Sequence, residues 1–311
     1  NHLFPDTTYG CESGGDPKNI PDLTYENFLN FHRTYYHPSN SYIYLYGNMD
    51  MEEKLAFLDE HYLSHFDYLD VDSVIQEQKA FGACQDVTLE YPVAENEGEE
   101  DNTYLSYNTV VGNAADSQMA MAFEVLDYAL LSAPGAPLKQ ALLDVKAGKD
   151  VYGSYDDGIL QPYFTVIAKG SNPDRKEEFV SVIRQVLGDI VKNGIDRKAV
   201  EAGINYFEFR YREADFSSYP KGLMYSLDIL GDWLYEKGNP FAQVQQLTVF
   251  EKLKKAVNAG YFEELIRKYL LENPHGCIMT LVPKKGLAAQ REKELEEKLE
   301  AYRSSLSEEQ L

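Results

Sequence analysis

Two histidines, His61 and His65, have the spacing that most clearly suggests chemistry. Within Glu60-His61-Tyr62-Leu63-Ser64-His65 the imidazoles are four residues apart. On a helix this spacing places both rings on one face, where they can hold a divalent ion. The simpler interpretation is a pair of surface histidines near a helix end, and adventitious binding of zinc or nickel is the alternative.

Other catalytic patterns are weaker still. The sequence contains no G-x-S-x-G elbow, and no histidine neighbours a cysteine in sequence, although spatial adjacency stays open. Gly14-Gly15 and Gly135 lack the strand, loop and helix pattern of a phosphate-binding loop. Asp156 and Asp157 could form an acid pair, but they fit a turn better. No catalytic residue is therefore predicted, and substrate-binding residues stay unidentified.

Composition limits the classes of function. The chain has 311 residues, enough for two domains, and its hydrophobic content of 44% with 13% aromatics is globular. A net charge of −22, from 51 acidic and 29 basic residues, argues against nucleic acid or an anionic membrane as partner. It favours solubility and basic ligands. No stretch resembles a transmembrane span or a cleavable signal peptide.

Three cysteines, Cys11, Cys84 and Cys277, lie far apart without a C-x-x-C pair. This spacing argues against a disulfide framework or a cysteine zinc site. We expect reduced, buried or half-buried thiols and a reducing compartment, which is the cytoplasm if the source is bacterial.

The stretch from Ser13 to Asp50 predicts a loop, a helix, a sharp corner and a strand. Thr24 is a good N-cap, and the His37-Pro38 corner ends the helix. The β-branched and aromatic run at 41–46 predicts a strand that stops at Gly47. An apolar stripe on the helix is expected to face a core. Its members are Tyr25, Phe28, Leu29, Phe31 and Tyr35.

Downstream, a helix is predicted over 51–65, with Leu55, Leu58 and Tyr62 packing back on the strand. Residues 66–79 lack a helical period and predict a linker. Alternating strands at 86–91 and 103–111 flank an acidic loop, which is interpreted as a solvated connection because it lacks the ligand order of a calcium loop. The other predicted elements are helices at 116–131, 138–145, 177–191, 196–213, 220–235, 244–256 and 261–271, two strands around a turn near 149–170, a strand at 276–282 ended by Pro283, and a solvent-exposed terminal helix.

This order of features resembles zinc peptidases of the pitrilysin and insulinase type, most of all their presequence-protease branch. The resemblance is carried by SGGDP at 13–17, Pro21, TYE at 24–26, FHR-x-YYHPSN at 31–40 and the aromatic run ending in YG, and then by KDV at 149–151, DGILQPYF at 157–164 and KG at 169–170. The helix, Pro corner and strand at 25–46 recur at 261–282, which fits a family of repeated domains.

The resemblance implies an α+β fold with a mixed, largely antiparallel sheet covered by helices, a repeated metallopeptidase-type domain and a terminal helix. It assigns residues 1–67 to the C-terminal part of the catalytic domain and residues 68–80 to a linker. Residues 81–285 become a second, noncatalytic domain, and residues 286–311 the start of a connecting helical hairpin.

The family's zinc motif, H-x-x-E-H with a later glutamate, is expected upstream of this chain. The nearest approach here is Asp59-Glu60-His61, but Phe57 occupies the place of the first ligand. Zinc is therefore expected in the parent protein and not in this segment, which is predicted to be inactive alone.

The function implied is that of an internal segment of a zinc metalloendopeptidase that degrades unfolded or extended peptides in a closed chamber, with this segment as scaffold and wall. The abrupt start at Asn1 fits a fragment. With part of the first domain's sheet missing, residues 1–67 are expected to expose apolar surface and to associate with another copy. One alternative is a noncatalytic homologue that acts as a binding or structural subunit. Another is an independent enzyme with its own metal at His61 and His65.

Overall fold

A five-stranded sheet forms the centre of the computed structural model, which describes residues 1–214, 216–235, 240–241 and 244–307. The strands are β1 (Gln85–Val93), β2 (Thr103–Val110), β3 (Asp150–Asp156), β4 (Tyr163–Ser171) and β5 (Gly276–Lys285). They lie in the order β1-β5-β2-β4-β3, with β1 and β5 parallel and the other neighbours antiparallel. The sheet is therefore mixed and largely antiparallel, as predicted.

Strand β2 shows why the sheet forms. Its side chains alternate between buried and half-buried, with Leu105 and Tyr107 facing the main core while Ser106 and Asn108 face the other side. A strand with this period buries every second residue under a layer of helices. Alternation in the sequence was thus sufficient to predict β2.

Helices cover one face of this sheet and give the chain its α+β class. The helices are α1 (Tyr25–Tyr35), α2 (Met51–His61), α3 (Ser117–Asp127), α4 (Pro137–Asp144), α5 (Lys176–Asn193), α6 (Arg197–Glu213), α7 (Lys221–Trp233), α8 (Leu247–Ala256), α9 (Tyr261–Leu265) and α10 (Leu287–Ser305). Wider π-helical turns extend α3 over Tyr128–Ser132 and α9 over Ile266–Leu271. The predicted helices at 116–131 and 261–271 are thereby confirmed.

The main core lies between the helices and the sheet. Phe123 of α3 is fully buried and contacts the rings of Tyr155, Phe164 and Tyr269. The predicted inward stripe of α3 is buried, as is the stripe of α5 at Phe179, Ile183 and Leu187. The buried residues of this core run from Leu105 to Leu270.

Pro283 does not end the last strand, contrary to the sequence prediction. Strand β5 continues to Lys285, and Pro283 lies opposite Tyr91 of β1. Strand β2 accompanies β5 only as far as Leu281. Since Pro283 lies beyond the last pair with β2, its missing N–H costs no bond on that side of the ladder.

The predicted strand at 41–46 was wrong. In the described structure these residues belong to no sheet, and no described strand lies beside them to share backbone hydrogen bonds. β-propensity alone does not make a strand without a neighbour.

Helix α1 forms as predicted, but its apolar stripe faces solvent. Thr24 caps the helix by accepting a hydrogen bond from Asn27 N at 3.1 Å. The helix nevertheless buries no residue: Tyr25 is 78% exposed, Phe28 63% and Phe31 60%. The expectation that this stripe contacts a core within the chain was wrong, and the expected apolar surface on residues 1–67 is present.

Helix α2 is shorter than predicted. It ends at His61, because Tyr62 adopts φ −137° and ψ −64°, and a separate 3-10 turn follows over Leu63–His65. Leu55 and Tyr62 are exposed and Leu58 is half-buried, so the predicted packing was wrong for Leu55 and Tyr62.

The terminal helix α10 buries only Leu287 and is otherwise exposed, as predicted. Within the described parts of the chain, none of the helices combines the length and the apolar character needed to cross a bilayer. All three cysteines are free: Cys277 is buried and Cys84 half-buried, whereas Cys11 is exposed against expectation.

Candidate functional site

His61 and His65 do not share a helical face in the structure. His61 is the last residue of α2 and packs on the ring of Phe57 at 4.6 Å, and His65 ends the following 3-10 turn. The break at Tyr62 removes the spacing on which the two-histidine hypothesis depended. Across the described ranges, no group of three or more His, Cys, Asp or Glu side chains is placed to hold a metal ion.

What the structure does bring together is a junction between residues 1–80, here called the N-terminal region, and the sheet domain. Gln78 lies at its centre and is only 4% exposed. Its side chain accepts from Asp6 N at 2.8 Å and donates to Asp6 Oδ2 at 2.7 Å. Its backbone N–H donates to Gln161 Oε1 at 2.6 Å, and Gln161 Nε2 donates back to Gln78 O at 3.2 Å. One residue thus fixes both ends of the N-terminal region to the turn before β4.

A second contact is made by His275, at the start of the turn into β5. Its Nε2 lies 2.8 Å from Leu3 O, and its ring contacts Phe81 at 4.5 Å and Phe4 at 6.1 Å. Burial lowers the pKa of His275, while the bond to Leu3 O acts in the opposite direction. A buried imidazole with an apolar cage holds the first residues against the sheet.

A third contact joins Tyr9 to the residues just after α7. Tyr9 Oη and Tyr235 Oη are 2.5 Å apart, and Leu160 N donates to Tyr9 Oη at 3.3 Å. Burial raises the pKa of Tyr235, and its hydrogen bond with Tyr9 adds to the rise. This pair of hydroxyls ties the N-terminal region to the end of α7.

Helix α7 also packs on residues 41–46. Tyr42 meets Trp233 edge to face at 4.8 Å, and Tyr46 contacts Tyr225 at 6.0 Å. Gly222 is required here because a Cβ at this position would collide with the Tyr46 ring. Between the segment and the helix lies a mainly aromatic and aliphatic cavity of about 640 Å³.

On its other side α7 closes a smaller cavity of about 460 Å³ that is lined by α3, α6 and the β3–β4 turn. Glu124, Asp157 and Asp228 contribute carboxylates, and Arg210 contributes one guanidinium. Burial raises the pKa of Glu124 to about 7, with smaller contributions from Asp157 and Asp127 and an opposing one from Arg210. Burial also raises the pKa values of Asp157 and Asp228.

Only part of this arrangement could be predicted from the sequence. Asp156 and Asp157 were predicted in a turn; Asp156 is instead the last residue of β3, and Asp157 follows it in the turn that lines the smaller cavity. Gln78, which looked like an ordinary linker residue, and Glu124 were not predicted. A signal for Glu124 was present, since it is the one carboxylate within the apolar run from Met119 to Leu126. A lone charge in such a run points to a buried or functional group.

Comparison with protein families gives a match to the family described as Peptidase M16 inactive domain, over residues 22–207. Protein HypA from Clostridium perfringens (strain 13 / Type A) is 44% identical over 309 residues, which are 99% of this chain and 32% of that protein. Presequence protease 1, chloroplastic/mitochondrial, from Arabidopsis thaliana is 33% identical over 317 residues, 99% of this chain and 29% of that protein. The chain spans about a third of the length of these relatives.

Solved structures share the fold. A putative M16-like peptidase from Alicyclobacillus acidocaldarius superposes with a TM-score of 0.64 at 19% identity, covering 88% of this chain and 62% of that one. A protease from Helicobacter pylori superposes with a TM-score of 0.65 at 15% identity, covering 86% of this chain and 61% of that one. At such identities the likeness concerns the fold alone, and it agrees with the α+β class found above.

Proposed function

Because this chain belongs to the peptidase M16 family through its inactive domain and is of the presequence-protease branch, we propose that it is the internal, noncatalytic segment of a zinc metalloendopeptidase. The whole protein would degrade unfolded or extended peptides in a closed chamber. This segment would supply scaffold and chamber wall. Relatives named presequence proteases, from Arabidopsis thaliana and Xenopus laevis, support the proposal.

The donor set of this chain does not fit a zinc centre. The H-x-x-E-H order is absent from the sequence, and His61 and His65 are separated by the break at Tyr62. No catalytic step is therefore assigned to any residue of this segment. In the proposal, zinc belongs to another part of the parent protein.

The domain assignment depends on helix α1 and residues 41–46. The helix is well capped and residues 41–46 belong to no sheet in the described structure, while the aromatic face of α1 is exposed. Helix–strand units of this kind are stable only when a sheet and its core complete them. We assign residues 1–67 to the C-terminal part of a catalytic domain, 68–80 to a linker, 81–285 to the second domain and 286–311 to the start of a helical hairpin.

Charge and thiols suggest the substrate and the compartment. A net charge of −22 would attract basic peptides to a wall built from this chain. The three free thiols suit a reducing compartment, which would be the cytoplasm in a bacterium.

A noncatalytic homologue, acting as a binding or structural subunit, is the second candidate. This candidate is supported by the match to an inactive-domain family, because a noncatalytic homologue would match the same family. The two candidates differ in the rest of the gene. An H-x-x-E-H motif encoded upstream of Asn1 supports the peptidase, and a broken motif there supports the subunit.

Chelator-sensitive cleavage tests the proposal directly. The full-length gene product should cleave an unfolded peptide and lose this activity when zinc is chelated. A full-length product that binds the peptide without cleaving it would contradict the peptidase proposal and support the second candidate, a noncatalytic binding or structural subunit.

A further inference from the structure

His275 is a buried, titratable side chain at the place where the N-terminal region meets the sheet domain. It lies directly before β5 and is only 4% exposed. Its Nε2 lies 2.8 Å from Leu3 O, and its ring contacts Phe4 in the first residues and Phe81, which follows the N-terminal region. A change of charge on this ring therefore acts directly on the contact between the two parts of the chain.

The hydrogen bond to Leu3 needs a proton on Nε2 of His275, because a carbonyl oxygen can only accept. A neutral imidazole with its proton on Nε2 makes this bond without placing a charge in the junction. The bond is shielded from water, since Leu3 and Phe4 are themselves buried. The neutral ring is therefore the form that fits the closed junction.

A charged imidazole would find no counter-ion among the residues that the structure describes. Burial lowers the pKa of His275, the bond to Leu3 O opposes this effect, and no described carboxylate or cation contributes. The ionisable side chains nearest in sequence on the elements around the ring are His2, Asp6, Lys79, Cys84, Glu272 and Cys277. Both carboxylates of this set have other partners, since Asp6 accepts from Gln78 and Glu272 accepts from Arg267.

We propose that His275 is an acid-sensitive clasp: its neutral ring holds residues 1–10 against the sheet domain, and protonation of the ring releases them. The imidazolium still has an N–H for Leu3 O, but its charge is better accommodated by water than by two phenylalanine rings and one carbonyl. The first residues are the part that moves, because β5 is fixed between β1 and β2. Their departure exposes the ring to water.

Release of the first residues also affects two further contacts of the junction. Asp6 is bonded to the side chain of Gln78 through its N–H and its carboxylate, and Tyr9 Oη meets Tyr235 Oη. Both contacts are made by the same ten residues that the clasp holds. Protonation of one ring therefore weakens the attachment of the N-terminal region at three places.

Cys277 provides a reporter of this release. Its side chain is only 1% exposed and belongs to one buried cluster with Leu3 and Phe4. Departure of these two residues uncovers the thiol. The rate at which the thiol is modified therefore measures how often the first residues leave the sheet.

The test is thiol modification by dithiodipyridine in the 311-residue chain with Cys11→Ser and Cys84→Ser, so that Cys277 is the one thiol. Each rate is divided by the rate for the urea-unfolded chain at the same pH, which removes the pH dependence of the reaction itself. We expect the corrected rate to rise roughly tenfold as pH falls from about 7.5 to about 5.5, through the ordinary histidine pKa of about 6.5 that the released ring has. A corrected rate that stays constant over this interval would overturn the proposal.

Substitutions at position 275 separate the hydrogen bond from the charge. In His275→Gln the side-chain amide donates to Leu3 O but does not titrate, so Cys277 should stay protected at both pH values. His275→Ala lacks the donor and should leave Cys277 reactive at both, in a chain that circular dichroism shows to be folded. An acid-induced rise that persists in His275→Gln, or full protection in His275→Ala, would contradict the proposal.

His2→Gln is the matched control, since His2 is a half-buried histidine in the same first residues. It should keep the acid-induced rise, and loss of the rise in this variant would assign the transition to His2 instead.

A second measurement serves if His275→Gln does not fold. The ring signals of His275, assigned in NMR spectra through their contacts with Phe4 and Phe81, should titrate over the same pH interval as the modification rate. Different midpoints would separate the ring from the release and refute the clasp. None of these measurements involves zinc or a peptide, so they are independent of the proposed function.

Discussion

The side-chain amide of Gln161 pairs with both backbone polar groups of Gln78, accepting from Gln78 N at 2.6 Å and donating to Gln78 O at 3.2 Å. This is the pattern of a strand ladder, made by a side chain in place of a neighbouring strand. It holds the otherwise irregular residues 68–80 in register beside the turn before β4. The N-terminal region is thereby fixed to the sheet domain through specific polar contacts.

Removal of this amide should destabilise the chain. Gln161→Ala leaves the N–H and C=O of buried Gln78 without partners, which costs about 1–3 kcal/mol. Urea unfolding followed by circular dichroism measures the loss. Gln140→Ala is the control, since Gln140 Nε2 bonds Asp144 on an exposed helix surface, and its effect should stay within about 0.5 kcal/mol. Equal effects of the two substitutions would contradict the role given to Gln161.

The aromatic face of α1 should drive self-association of the isolated chain. Phe28 and Phe31 are both more than half exposed on one stripe, and a patch of this kind is normally covered by another surface. Light scattering coupled to size exclusion should show a mass that rises with concentration. Phe28→Glu with Phe31→Glu should restore the monomer.

Phe209→Glu supplies the comparison, because Phe209 is an equally exposed phenylalanine on α6, outside the N-terminal region. It should leave the association unchanged. A chain that is monomeric at all concentrations would show that the aromatic face of α1 does not drive self-association.

Stability should fall with rising pH on account of Glu124. The folded-state pKa of about 7 lies above the ordinary value of 4.5, so between these values the folded chain holds a proton that the unfolded chain has lost. The stabilisation is complete below pH 4.5 and is lost as pH rises through 7, with an upper limit of about 3 kcal/mol. Urea unfolding at pH 5 and pH 8 measures the difference, and Glu124→Gln should reduce it. A stability that rises over this interval, with the same slope in the variant, would disprove the assignment.

The sheet domain could be predicted well from the sequence because its signals are local and agree with one another. Alternation predicts β2, and the 3.6-residue period predicts α3 and α5, whose stripes are the ones buried in the core. These three elements pack against elements within residues 81–285. The prediction that Pro283 ends the last strand was wrong because β5 can accommodate a proline beyond the point where its pairing with β2 ends.

The N-terminal region was harder to predict, for a physical reason. Local signals such as the Thr24 cap are sufficient to form α1, but a strand also needs a neighbour, and residues 41–46 have none in the described structure. The long-range polar contacts of Gln78 and the convergence of Glu124, Asp157 and Asp228 depend on tertiary packing. No spacing in the sequence encodes them.

The central claim is that this chain is the noncatalytic segment of a zinc metallopeptidase. Its most direct test is the cleavage of an unfolded peptide, measured with zinc and with a chelator, for the purified 311-residue chain beside the full-length gene product. We expect chelator-sensitive cleavage by the full-length protein and none by the segment. Cleavage by the pure segment, or none by a full-length protein that carries an intact H-x-x-E-H motif, would contradict it.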